Sequence, residues 1–201
     1  MDAEFEQKTI KPSILYYGTP VILLTTLNED GTTNISPLSS SWALGDCLVL
    51  GLGLGGKAIE NLRNHPECVV NVPSPELWEN VELLASLTGK NPVPEYKLKN
   101  KFRHEKDKFG ASGLTKQISE DVKPHRILEC PLQIESVVKH IRVPEHNQSF
   151  AVVEVEAIKV HAHKSVIIDD NHIDANKWSP LIYNFRHYFG LGKELGKTFR
   201  A

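Results

Sequence analysis

The run Gly51-Leu52-Gly53-Leu54-Gly55-Gly56-Lys57 satisfies two phosphate-cradling spacings at once, G-x-G-x-x-G and G-x-x-x-x-G-K. Both spacings work because glycine lets backbone approach a ligand while the N–H groups opening the next helix face an anion. Neither pattern is complete here. The second needs a Ser or Thr after the lysine to hold magnesium, and Ala58 stands there. The first needs a long helix and an acidic residue about 20 positions on. This chain offers about two helical turns and Asn71 at the matching strand end. With both nucleotide-binding classes set aside, two readings remain. Gly51, Gly56 and the Lys57 charge make a site for one phosphate, or the run is a glycine-rich barrel turn with an exposed lysine.

A second candidate is the stretch Asn34-Ile35-Ser36-Pro37-Leu38-Ser39-Ser40-Ser41-Trp42. It carries too many small hydroxyls for a core segment. It can present N–H and O–H donors to a flat polar ligand, or it is an ordinary serine-rich turn. No G-x-S-x-G elbow supports a serine hydrolase. His161 and His163 share a strand face, but no Cys or carboxylate stands beside them at a ligand spacing, so they read as surface histidines and no metal is expected. Lys97 to Lys108 carries six basic residues against two acids, and reads as a solvated insertion rather than a steering patch for a nicotinamide phosphate. Arg186 and Tyr188 lie in a polar-aromatic tail, which edges a ligand cleft or packs on a partner subunit. Trp78, with Leu77 and Val81, reads as core packing.

The elements that must hold these residues are mostly strands. Pro20 to Leu27 is apolar and β-branched, as in a strand buried on both faces. Thr32 to Ser36 returns after the turn at Asn28–Gly31, and Asp46 to Leu52 follows. Lys57 to Asn64 is a short helix that His65-Pro66 ends. Glu67 to Val72 is a strand. Ser74-Pro75 starts a second helix, with Gly89 as its stop. Residues 90 to 113 are charged, with Gly and Pro, and read as irregular. Pro131 to Val138 alternates. In Phe150 to Ala162 the apolar phase slips between Ala157 and Ile158, which predicts a bulge or a change of buried face. Ser165 to Ile168 and Leu181 to Phe185 are further strand candidates. Six or seven strands with few short helices exclude a doubly wound parallel sheet and favour a small antiparallel barrel.

Composition bounds the rest. The 201 residues, 40% hydrophobic and 24% charged, suit one domain over 1–201. A formal net charge of −2 argues against a nucleic-acid binder. No run approaches the roughly 20 apolar residues of a membrane span, and the acidic N-terminus lacks a signal peptide's apolar region. Three widely separated cysteines fit a reduced, cytoplasmic protein.

The order of these pieces resembles a family. An apolar strand leads to N-x-S-P-x-S-S at 34–40, a strand, K-x-x-x-N-L at Lys57, Asn61 and Leu62, and V-V-N at 69–71. Towards the C-terminus come His125-Arg126-Ile127, Pro180-Leu181-Ile182-Tyr183, Tyr188-Phe189 and Leu195-Gly196-Lys197. Over residues 15 to 199 this is similar to the flavin reductase-like, FMN-binding split-barrel family, including the reductase components of two-component monooxygenases. The resemblance implies a mainly β fold, a six-stranded antiparallel split β-barrel with short helical insertions. It implies a homodimer with FMN at the interface and NADH or NADPH as co-substrate. It puts Asn34 and Ser36 at the ribityl chain, Ser39, Ser40, Ser41 and Trp42 around the isoalloxazine, and Lys57 and Asn61 at the phosphate. Family members often carry K-D-T where this chain has Lys57-Ala58-Ile59, which removes a hydroxyl from the phosphate end. A flavin carries hydride chemistry without a protein triad. The expected activity is therefore NAD(P)H-dependent flavin reduction. An FMN electron carrier and a flavin-free interaction module are the alternatives.

Overall fold

The computed structural model describes residues 5–199. Seven strand segments make its main sheet: β1 (Ile22–Leu27), β2 (Thr33–Leu38), β3 (Ser41–Leu44), β4 (Cys47–Gly53), β5 (Glu67–Val72), β6 (Leu132–Arg142) and β7 (Phe150–Ala162). All pairings are antiparallel, in the order β2-β1-β5-β6-β7-β4-β3. The two edge segments, β2 and β3, are consecutive in the chain and separated only by Ser39 and Ser40. The Gly51 N–H donates to the Ser40 carbonyl at 2.7 Å. The sheet therefore curls until one kinked strand serves both edges, and counting β2 with β3 as that strand recovers the expected six. The closure needs glycine, because a Cβ on Gly51 would lie 2.8 Å from the Ser40 Cβ.

Sequence patterning explains the layers. All six residues of β1 are buried. Ile22 and Leu24 point into the barrel with Leu50, Val70 and Val153. Val21, just before β1, and Leu23 pack outward against Val81, Leu84, Phe109 and Ile127. The phase slip in β7 is a bulge: Glu135 faces Lys159 and Ser136 faces Ala157, so Ile158 has no partner across the ladder. On β6 the polar residues Gln133 and Glu135 are buried, contrary to what alternation suggests. They face residues 118–130 and hydrogen-bond to them, so burial follows from what packs on that face.

Helix α1 (Lys57–Asn64) buries Ala58, Ile59 and Leu62. Helix α2 (Trp78–Ala85) follows a 3-10 turn at Pro75–Leu77. It ends at Ser86, and Leu87–Thr88 then pair with Arg103–His104, so Gly89 is not its stop. Residues 90–113 are also more ordered than composition suggests. They hold α3 (Glu95–Lys99) and α4 (Lys108–Ser112), the latter capped by Asp107 and ended by Gly113 at φ 70°. Helices of five residues are too short to show a hydrophobic period. A small sheet joins Tyr17–Pro20, Ile182–Asn184 and His187–Phe189. Among the described residues no helix is long and apolar enough to cross a membrane.

Candidate functional site

Where β4 runs out at Gly53 and α1 begins, the chain leaves a cleft of about 290 Å³. Its floor is backbone from Gly51 to Gly53 and from Gly56 to Ile59, with Ser36 and Pro37 of β2 alongside. Gly56 is the N-cap of α1, and no side chain caps that end. The first N–H groups of the helix lack intrahelical acceptors, which favours an anion there. Leu38, Leu52, Leu84, Leu87 and Phe102 give the cleft apolar walls.

The opposite wall combines the segment 97–108, which composition marks as a solvated insertion, with the residues just before it. Thr88, Gly89, Tyr96, Lys97, Phe102 and Lys108 all line the cleft. The segment presses closely on the glycine run. A Cβ on Gly89 would meet Asn34 Oδ1 at 2.7 Å and Lys57 Cγ at 3.0 Å, and the Tyr96 hydroxyl covers Gly55. Tyr96, Phe102 and Phe109, interleaved with the lysines, are the sequence signal that this run packs against something.

The charges divide into two sets. Lys57 Nζ lies 3.1 Å from Glu29 and 2.5 Å from Glu60, and Lys90 pairs with the other oxygen of Glu60. The bond from Lys57 holds the Glu29 carboxyl below its ordinary range. This quartet is internally neutral. It borders a second cavity of about 470 Å³, which shares Lys57 and Gly89 with the first and includes Asn34. Lys97 and Lys108 form no ion pair among the described residues. Lys97 donates to Thr88 Oγ1 at 3.2 Å and stands over the Phe102 ring. Lys108 is 3% exposed and donates to the Ile35 carbonyl at 2.7 Å. Burial, and then the Lys97 charge, pushes Lys108 down to about 8, against a weaker opposing effect of Glu105.

The sequence candidates separate in space. Ser36, Gly51, Gly56 and Lys57 meet in the first cleft. Asn34 lies just beyond it, with its amide on Ser36 Oγ at 3.1 Å. Ser39, Ser40, Ser41 and Trp42 line a third cavity of about 440 Å³, beside Leu15, Tyr16 and Tyr17, with Gly51 common to both. Asn61 is turned inward. Its amide donates to Thr26 Oγ1 and Asn28 Oδ1, tying α1 to the β1–β2 turn, and its Oδ1 has no partner among the described residues. Tyr188 donates to Glu82 at 2.9 Å and lines a separate surface pocket with Trp78. Arg186 is exposed at a hairpin tip with φ 71°. Neither touches the first cleft within this chain. His161 pairs with Glu135, His163 with the Leu128 carbonyl, and no metal-holding cluster occurs among the described residues.

Apolar walls, glycine-lined backbone, an open helix N-terminus and uncompensated lysines together suit a flat ring that carries a phosphate. The comparisons agree on the class. Residues 14–192 match the model of the flavin reductase like domain, and the chain belongs to that family of flavin-related oxidoreductases. It is 62% identical over 194 residues to YdfE of Bacillus subtilis (strain 168), covering 96% of this chain and 94% of that protein. Its fold is similar to that of flavoredoxin from Desulfovibrio vulgaris (Miyazaki F), with a TM-score of 0.80, 22% identity and coverage of 98% and 99% of the two chains. Nitrilotriacetate monooxygenase component B from Bacillus cereus gives a TM-score of 0.73, 14% identity and coverage of 98% and 97%. At these identities the two structures establish the split-barrel fold.

Proposed function

We propose that the chain is one flavin reductase-like domain over 1–201 that binds FMN and works in the cytoplasm as an NAD(P)H-dependent FMN reductase. The observation that carries this reading is the cleft itself, in a chain of this family: an uncapped helix N-terminus and two lysines without an ion pair among the described residues, around an apolar slot. When bound, FMN supplies the hydride-accepting N5. The protein's part is binding and orientation. The backbone at Gly51 and Gly56 and the N-terminus of α1 receive the phosphate end, with Lys57 beside them. Asn34 and Ser36 face the ribityl chain. The backbone of Ser39, Ser40 and Ser41, with Trp42, flanks the ring. Asn61 acts from behind by fixing α1. Ala58 and Ile59 offer no hydroxyl, so the phosphate depends on backbone N–H groups and lysine charge.

A homodimer supplies the second wall. Leu15, Tyr17 and Trp42, all exposed, surround the cavity of the serine loop and support this assembly. Arg186 and Tyr188 then act on the partner's cleft or its rim. The likeness to component B of nitrilotriacetate monooxygenase supports a monooxygenase component as recipient of reduced flavin. The likeness to flavoredoxin favours a second reading, an FMN electron carrier that uses NAD(P)H poorly.

The test is optical. Added FMN is expected to shift and quench in the flavin bands on binding. Anaerobic mixing with NADH or NADPH should then bleach it within seconds. Binding without bleaching selects the carrier, and no binding at all leaves only a flavin-free interaction module.

A further inference from the structure

The serine loop is held by a residue that the flavin-binding reading does not use. Tyr16 Oη and Ser40 Oγ share a hydrogen bond at 2.5 Å. Ser39 and Ser40 belong to neither β2 nor β3, so no ladder fixes this joint. The bond from the Gly51 N–H to the Ser40 carbonyl holds it from one side, and the Tyr16 phenol holds it from the other. Ser40 packs directly over Gly51, which lines both the cleft at the α1 terminus and the cavity of the serine loop. Tyr16 lines that same serine-loop cavity, together with Ser39, Ser41 and Trp42. The phenol is itself braced from behind by the C-terminal hairpin. The Tyr16 carbonyl accepts from the Phe185 N–H at 2.8 Å. Its ring meets Tyr183 edge-on, with centroids 5.5 Å apart and planes at 75°. Tyr183 pairs across the hairpin with Tyr188, whose hydroxyl donates to Glu82 of α2. The polar-aromatic tail therefore ties the serine loop to α2 through one phenol.

We propose that Tyr16 is a positioning residue for the flavin ring and acts through Ser40. This rests on the flavin-binding reading above, which puts the ring at the serine loop. A two-residue joint held at one backbone point is free to rotate, and rotation turns the donors of the loop away from a ligand. The phenol removes that freedom before the ligand arrives, so the loop is ordered on folding rather than on binding. The tether sits at the serine-loop cavity and not at the α1 terminus. It therefore acts on the ring and leaves the phosphate contacts as they are.

The test is a double-mutant cycle on the whole protein, read by titration with FMN and with riboflavin. Tyr16→Phe keeps the ring packing on Tyr183 and removes the hydroxyl. It is expected to weaken FMN about fivefold, the size expected of one net hydrogen bond. Ser40→Ala removes the other partner, should give a similar loss, and stands in if Tyr16→Phe does not fold. The two changes together should weaken FMN no more than either alone, because both break the same bond. Riboflavin should lose affinity by the same factor as FMN. At saturating FMN, the visible band of the bound flavin should move towards that of free FMN in each variant, a change that lost fold stability alone does not produce. Losses that multiply in the double variant, a loss with FMN that riboflavin lacks, or a bound spectrum identical to wild type would overturn the proposal. Wild-type protein that binds no FMN would overturn the flavin reading as well. Wild-type binding that the variants leave unchanged overturns this inference alone.

Discussion

Glu135 shows how much one buried residue can organise. Its carboxylate accepts from the N–H groups of Glu120, Asp121 and Val122 and from His161, and it lies 3.5 Å from Arg126. Burial, the largest single influence, favours the neutral acid. The Glu120 and Asp121 N–H donors and the His161 ring together outweigh it, and the carboxyl sits below its ordinary range. Its contribution to stability is therefore present above the unfolded carboxylate value of 4.5 and is lost as pH falls through the lower folded value. Glu135→Gln leaves Arg126 buried without its counter-charge and should cost about 3–5 kcal/mol in urea denaturation at pH 7. The loss should shrink as the titration is repeated towards pH 3. A variant as stable as wild type at pH 7 would show that the network contributes nothing net. Alternation on β6 marks Glu135 as the polar side of a strand, and nothing local marks it as buried. The sequence could not show that residues 118–123 fold over that face.

At the scale of elements, the cleft is formed by three pieces distant in sequence: β2, the β4–α1 junction and the strap at 87–108. Strap and junction meet at Gly89, where any side chain would collide with Asn34 and Lys57. Gly89→Ala should push the strap outward and weaken FMN binding about tenfold, roughly 1.4 kcal/mol, with little change in far-ultraviolet circular dichroism. Unaltered affinity in a fluorescence titration would mean the strap does not bear on the ligand. The first two pieces were legible. A strand, a glycine run and α1 are local features, and the bounds of α1 and β5 match those read from the chain. The strap was not, because its helices are one turn or so and its charge run resembles a solvated loop.

For the whole molecule, closure of the sheet leaves one surface unfinished. Leu15, Tyr17, Trp42 and Leu44 are each more than half exposed, and Trp42 lies beside the serine loop. A contiguous apolar patch next to a binding site marks an interaction surface, and the proposed occupant is a second copy of this chain. Trp42→Glu should convert a dimer to a monomer in sedimentation velocity and weaken FMN binding in parallel. Wild-type protein that sediments as a monomer at all concentrations would remove the dimer from the account. The sequence by itself determined the mainly β class, the phase slip at Ile158, the glycine run opening α1 and the resemblance to the flavin reductases. All of these are written in local spacing, which fixes backbone geometry and strand pleat. Only the tertiary structure decided that Lys57 is neutralised by carboxylates, that Asn61 faces inward, and that Lys97 and Lys108 line the cleft with no ion pair among the described residues. Those facts depend on which side chains meet across long stretches of chain, where burial and charge pairing are set by neighbours that sequence order does not reveal.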